Sequence, residues 1–175
     1  MKFLEYEAKK AFSEAGIAIP RGLTAKDPEG ALAAAKAIGF PCVLKAQVYS
    51  GGRGKAGLIK VAKTEGDALT IAKALFSSPA GVKTILVEQA VDIERELYLS
   101  VTVDPKASKA LYLACAEGGV EIEVLAANTP EKIVREYVDL SRGYSPCNGR
   151  NVAYGLGLEG DSAKKEIGRA SCRER

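Results

Sequence analysis

VLKAQVYSGGRGKAGLIKV, Val43 to Val61, decides how this chain is read, because two strand-like apolar runs flank a glycine-rich, strongly basic loop. Gly51, Gly52 and Gly54 carry no Cβ, so the backbone there can turn through positive φ and bring N–H groups close to an anion. Lys45, Arg53 and Lys55 add positive charge. A P-loop requires Gly-Lys to be followed by Ser or Thr and then by a helix, whereas here Ala56 and an alternating apolar run follow. The loop therefore belongs inside a β-hairpin. Hairpins of that kind cover nucleotide phosphates in protein kinases, where phosphoryl transfer rests on positioning and charge neutralisation. Two readings stay open at this point: ATP binding, or a surface hairpin whose glycines make the turn while its cations are solvated.

Outward from the hairpin, 175 residues with 47% hydrophobic and 27% charged content suit one full domain or two small lobes. No run approaches the roughly 20 apolar residues of a membrane span. The start, MKFLEYEAKKAF, has no apolar stretch like that of a signal peptide, so a cytoplasmic protein is expected. Cys42, Cys115, Cys147 and Cys172 show no Cys-x-x-Cys spacing and read as reduced, structural thiols. The chain has no histidine, the commonest general base and zinc ligand. Chemistry must then use Lys, Arg, Asp or Glu, or borrow a group from a partner. The last nine residues, IGRASCRER from Ile167, break with the preceding composition and resemble a translated sequencing adaptor, which places the end of the gene fragment at or near Glu166. They supply +2 of the formal net charge of +3, leaving +1. So balanced a chain carries no global charge signature of nucleic-acid binding.

Leu4, Ala8, Phe12 and Ala15 recur at helical spacing before Gly16, so the chain opens on a helix from about Leu4 to Ala15. Ile17 to Gly22 is extended around Pro20, and Asp27 caps a second helix with Pro28 in its first turn and Gly39 at its end. Paired strands Cys42 to Val48 and Leu58 to Ala62 follow, then a helix begun by Thr64 and Asp67. TILVEQAV and RELYLSVTV read as two buried strands, and Asp104 with Pro105 turns the chain into ALYLACA. EGGVEIE, Glu117 to Glu123, reads as a solvated acidic hairpin tip. Ile133 to Val138 fits a strand or a helix, and Asn148 to Gly157 a glycine-weakened helix.

Three features thus occur in order: Lys45 ending a strand, the glycine hairpin, and Glu88 ending a buried strand before a connection. Such a connection can offer backbone groups to an adenine edge, and Glu96 beyond it can hold ribose hydroxyls or pair with a neighbouring cation. In LEYEAKKAF, LKAQVYSGGRGKAG, ILVEQAVDIERELYL, EGGVEIE and GRNVAYGLGLEG, in that order, the chain resembles the ATP-grasp family. Within it the resemblance is to β subunits of ADP-forming succinyl-CoA synthetase (succinate-CoA ligase), over essentially Met1 to Gly160.

The resemblance implies an α+β, ATP-grasp fold, N-terminal part only. It divides into an N-terminal helix, 1–19, packing on the second lobe, a small lobe at 20–103, and the start of the second lobe at 104–166. It implies that Lys45 contacts phosphate, that Gly52, Arg53 and Gly54 cover it, that Glu88, Val91 and Glu96 line the adenine and ribose end, and that Ile133 to Val138 is a strand. The implied reaction belongs to the tricarboxylic acid cycle and needs ATP with Mg²⁺. Phosphate passes to a histidine of a partner α subunit and then to succinate, and CoA displaces it to give succinyl-CoA. The implied assembly is a heterodimer or heterotetramer. Tyr49 stands where many relatives carry histidine, and Pro20, where guanine-using members tend to carry glutamine, points to ATP. The family's magnesium-binding Asn and Asp lie beyond this sequence, so the fragment alone is expected to be inactive. Malate-CoA ligase and ATP-citrate lyase share the motifs. Two other readings remain. One is a polyanion-binding hairpin using Arg53, Lys55 and Lys60, with steep salt dependence. The other is a poorly folding chain with Leu111, Leu113 and Val138 uncovered.

Overall fold

The alternation in Cys42–Ala46 sets the first sheet: Cys42, Leu44 and Ala46 are buried while Val43 and Lys45 between them are not. The computed structural model describes residues 2–119, 122–160 and 163. It divides into two compact units, Met1–Asp92 and Ile93–Arg175. The tail from Ile167 and Cys172 within it lie outside the described residues.

In the first unit, helix α1 (Glu5–Glu14) precedes strand β1 (Gly22–Ala25), helix α2 (Pro28–Ile38), strands β2 (Cys42–Ala46) and β3 (Ile59–Ala62), helix α3 (Glu65–Phe76) and strand β4 (Ile85–Gln89). The strands form one antiparallel sheet in the order β1-β4-β2-β3, with Lys45 opposite Leu86 and Val43 opposite Glu88. Both helices that the sequence caps are capped as expected. The Asp27 carboxylate accepts from the Gly30 N–H at 2.6 Å, and Thr64 and Asp67 bond reciprocally at 3.0 and 3.1 Å. One sheet face, carrying Leu44, Ile85 and Val87, packs with alanines of α2 and α3 into the core. Small alanines at 31, 35, 68 and 72, all fully buried, let helix backbones approach the sheet closely. Lys45 and Glu88 occupy the opposite face. α1 has no buried residue.

In the second unit, strands β5 (Tyr98–Asp104), β6 (Lys109–Cys115) and β7 (Ile133–Val138) make an antiparallel sheet in that order. Helix α4 (Ile122–Asn128), a 3₁₀ turn (Pro130–Lys132) and helix α5 (Pro146–Gly155) complete it. Tyr112, Ala114 and Val138 pack with Val152, Ala153 and Leu156. Ile133–Val138 is the strand that the resemblance implied. Of the three residues that a poorly folding chain would leave uncovered, Val138 is buried and Leu111 and Leu113 are half-buried.

Two expectations are corrected. β5 is not a buried strand: as an edge it leaves Val101 and Val103 exposed, while β4, second in its sheet, is buried over Ile85 to Glu88. EGGVEIE is not a hairpin tip, because Ile122 already begins α4 and its Glu117 pairs with Lys132 at 2.6 Å; Val120 and Glu121 lie outside the described residues. Gly118 lies where only glycine fits. A Cβ there would stand 2.6–2.9 Å from the Glu96 Cβ and carbonyl carbon and the Leu97 nitrogen.

Candidate functional site

Lys45 leaves β2 on the polar face, and its ammonium donates to Glu88 Oε2 at 2.6 Å and to Glu5 Oε1 at 3.1 Å. Glu88, 3% exposed, takes Lys9 of α1 on its other oxygen. Lys9 also lies 3.2 Å from Glu5, one helical turn away. Arg53, from the glycine loop, folds back so that one guanidinium nitrogen donates to the Ala46 carbonyl at 3.1 Å and another to Glu5 Oε2 at 2.7 Å. Buried Gln47 fixes the helix from beneath, accepting from the Tyr6 N–H at 3.2 Å and donating to the Lys45 carbonyl at 3.0 Å. α1 is thus tied to the sheet by polar contacts at the residues that carry charge.

Burial alone would raise the Glu5 carboxyl, but the Lys45 ammonium beside it, helped by Lys9 and Arg53, holds its pKa down at about 2. Burial would make Lys45 easier to deprotonate; its bond to Glu88 and the charges of Glu5 and Glu88 outweigh that and push its pKa up. Three cations against two carboxylates leave this cluster one positive charge in excess.

The loop over the cluster closes on itself. Ala56 N–H donates to Gly52 at 3.0 Å, Gly57 to Gly54 at 3.1 Å and Leu58 to Arg53 at 2.9 Å, with Gly52 and Gly57 at φ of 68° and 69°. Among the described residues, no backbone carbonyl accepts from the amides of Gly51, Gly52, Arg53 or Gly54. Consecutive amides without a backbone partner are the equipment of an anion-binding loop. Beside the cluster, a cleft of about 280 Å³ is walled by Ile19, Pro20, Leu23 and Leu86 and edged by Lys9 and Glu88. Apolar walls with a few charged groups at one end suit a flat heterocycle bearing an anionic tail. A second cleft, about 340 Å³, lies between Phe3, Tyr49, Ser50 and Arg53.

The structure therefore brings Lys45, Arg53 and Glu88 together, with Gly52 and Gly54 in the loop above. Val91 is 52% exposed, two residues beyond the end of β4. Glu96 lies in the second unit, its carbonyl accepting from the Gly118 N–H at 3.0 Å. Sequence reasoning missed Glu5, Lys9 and Gln47. The first two are an i,i+4 pair in an amphipathic helix, and only their partners 40 and 79 residues away distinguish them from surface charges.

The family model described as "ATP-grasp domain" matches residues 2–170. The chain is 53% identical over 165 residues to the ADP-forming sulfoacetate-CoA ligase subunit SauC of Bilophila wadsworthia, covering 94% of this chain and 44% of the relative. It is 45% identical over 170 residues to the succinate–CoA ligase [ADP-forming] subunit beta of Pelobacter propionicus, covering 91% and 43%. The chain thus spans less than half the length of these curated relatives. Among solved structures, the dinucleotide-forming acetyl-coenzyme A synthetase 1 of Ca. Korarchaeum cryptofilum superposes with a TM-score of 0.73 at 23% identity, covering 96% of this chain and 78% of that one. A Pyrococcus horikoshii protein superposes at 0.75 with 20% identity, covering 97% and 76%. At such identities the superpositions show the fold.

Proposed function

The chain belongs to the ATP-grasp domain family, and from that premise we propose that it is the nucleotide-binding part of the β subunit of an ADP-forming acid-CoA ligase. The observation that carries this reading is the joining of Lys45 and Arg53 through Glu5 at a glycine loop whose amides, among the described residues, meet no backbone carbonyl, beside an apolar cleft. Lys45, Arg53 and the amides around Gly52 and Gly54 neutralise the phosphates of ATP. The base lies in the cleft by Pro20 and Leu86, beside Glu88. Magnesium enters as the ion accompanying ATP; among the described residues no three His, Cys, Asp or Glu converge to hold a metal. No histidine of this chain can accept the phosphoryl group. It passes to a histidine of a partner α subunit, then to the acid, and CoA displaces phosphate.

The acid that the sequence suggested was succinate. Similarity to sulfoacetate-CoA ligase subunits as well as to succinate-CoA ligases broadens it to a small acid with a second anionic group, carboxylate or sulfonate. The higher identity favours sulfoacetate. The formal net charge of only +3 gives a general polyanion little to bind.

The test is a chimera in which residues 1–160 replace the matching part of the Pelobacter propionicus subunit, combined with its α subunit. It should form ADP and acyl-CoA from ATP, CoA and acid, and Lys45→Ala should lower the rate about 100-fold. A folded, assembled chimera that forms no ADP would overturn the ligase reading.

A further inference from the structure

We propose that Glu5 is the positioning residue of the phosphate site. Its carboxylate bridges Lys45, at the base of the hairpin, to Arg53, in the glycine loop, and so fixes where these cations meet the phosphates of a nucleotide. The inference rests on the nucleotide reading above and adds to it a residue outside the hairpin.

The two Glu5 oxygens divide the cations between them, Oε1 taking the Lys45 ammonium at 3.1 Å and Oε2 the Arg53 guanidinium at 2.7 Å. The loop needs such an anchor, because side-chain positions at Gly51, Gly52 and Gly54 would touch nothing within 4 Å. Arg53 is the side chain that ties this stretch down, and its other hold is the Ala46 carbonyl at 3.1 Å. The bridge does not exhaust the cations. Lysine has three donors and arginine five, and the bonds described take two from each, leaving one and three for a ligand. Nor does the carboxylate cancel the site's charge, because Lys9 lies 3.2 Å from Glu5 and the cluster keeps its positive excess. Glu5 is itself held in place, since the neighbouring Tyr6 N–H donates to buried Gln47.

The experiment follows amide resonances of the whole chain on titration with ATP and, separately, adenosine, for wild type and Glu5→Gln. E5Q should weaken ATP about tenfold, the loss of one charge-assisted hydrogen bond, and leave adenosine unchanged, with resonances of Ile85 to Val87 reporting an intact sheet. Glu5→Asp keeps the charge with a shorter reach and should fall between the two; it is read by the same criterion if E5Q does not fold. Unchanged or tighter ATP binding by E5Q, or equal losses for ATP and adenosine, would overturn the inference alone. A wild type that shows no saturable response to ATP would overturn the nucleotide reading and the inference with it.

Discussion

At the scale of single residues, the site is a chain of ion pairs in which each removal leaves a charge behind. Glu88 is almost wholly buried and holds two ammonium groups, so replacing it leaves Lys45 and Lys9 with Glu5 alone to offset them in a poorly solvated place. Glu88→Gln should destabilise the first unit by about 3 kcal/mol in urea unfolding, whereas Lys10→Ala, at an exposed pair with Glu14, should change it by less than about 0.5 kcal/mol. Glu5 adds an acid limb. Its carboxyl titrates near 2 in the fold against an ordinary value of 4.5, so between those values the unfolded chain binds a proton that the folded chain does not. Its stabilisation is complete above about pH 4.5 and is lost as the pH falls towards 2; it amounts to roughly 3 kcal/mol at most, before solvent screening. E5Q should narrow the gap between urea midpoints measured at pH 6 and pH 2.5. Lys45, Gly52, Arg53 and Gly54 stood out in the sequence because a strand-end lysine leads into a basic glycine loop, and the structure holds Lys45 and Arg53 on one carboxylate. Glu5 was not, because what makes it special is a long-range contact and not its helical neighbours.

At the scale of elements, local chemistry gave boundaries wherever a cap or turn residue set them. Asp27 and Gly39 bracket α2, and Thr64 opens α3, as the residues require. The failures came where neighbours in the sheet decide. β4 and β5 have similar apolar runs, but one lies inside its sheet and the other at an edge. α4 was missed because a seven-residue helix after a glycine pair has too little periodicity to show. Gly155 read as a weakness in the last helix, yet a Cβ there would lie 2.7–2.8 Å from both Val134 methyl groups. The glycine lets α5 settle on β7. Gly155→Ala should therefore destabilise the second unit by about 1–3 kcal/mol in thermal unfolding, against the gain that alanine normally brings to a helix.

At the scale of the whole molecule, the fold class followed from motif order, and the family match over residues 2–170 agrees with it. The acid did not follow, since nothing in the first unit's cluster distinguishes carboxylate from sulfonate. The two units, Met1–Asp92 and Ile93–Arg175, each carry a sheet and a core, and the whole ion-pair cluster around Glu5 lies in the first. On the proposed function, the first unit seats a nucleotide with its base by Pro20 and Leu86 and its phosphates on Lys45 and Arg53. Photolabelling of the chain with 8-azido-ATP, followed by peptide mass spectrometry, tests it most directly. Label should fall within residues 11–26 or 84–95, be protected by ATP and be reduced in Lys45→Ala. Label scattered over the chain, or unaffected by excess ATP, would contradict it.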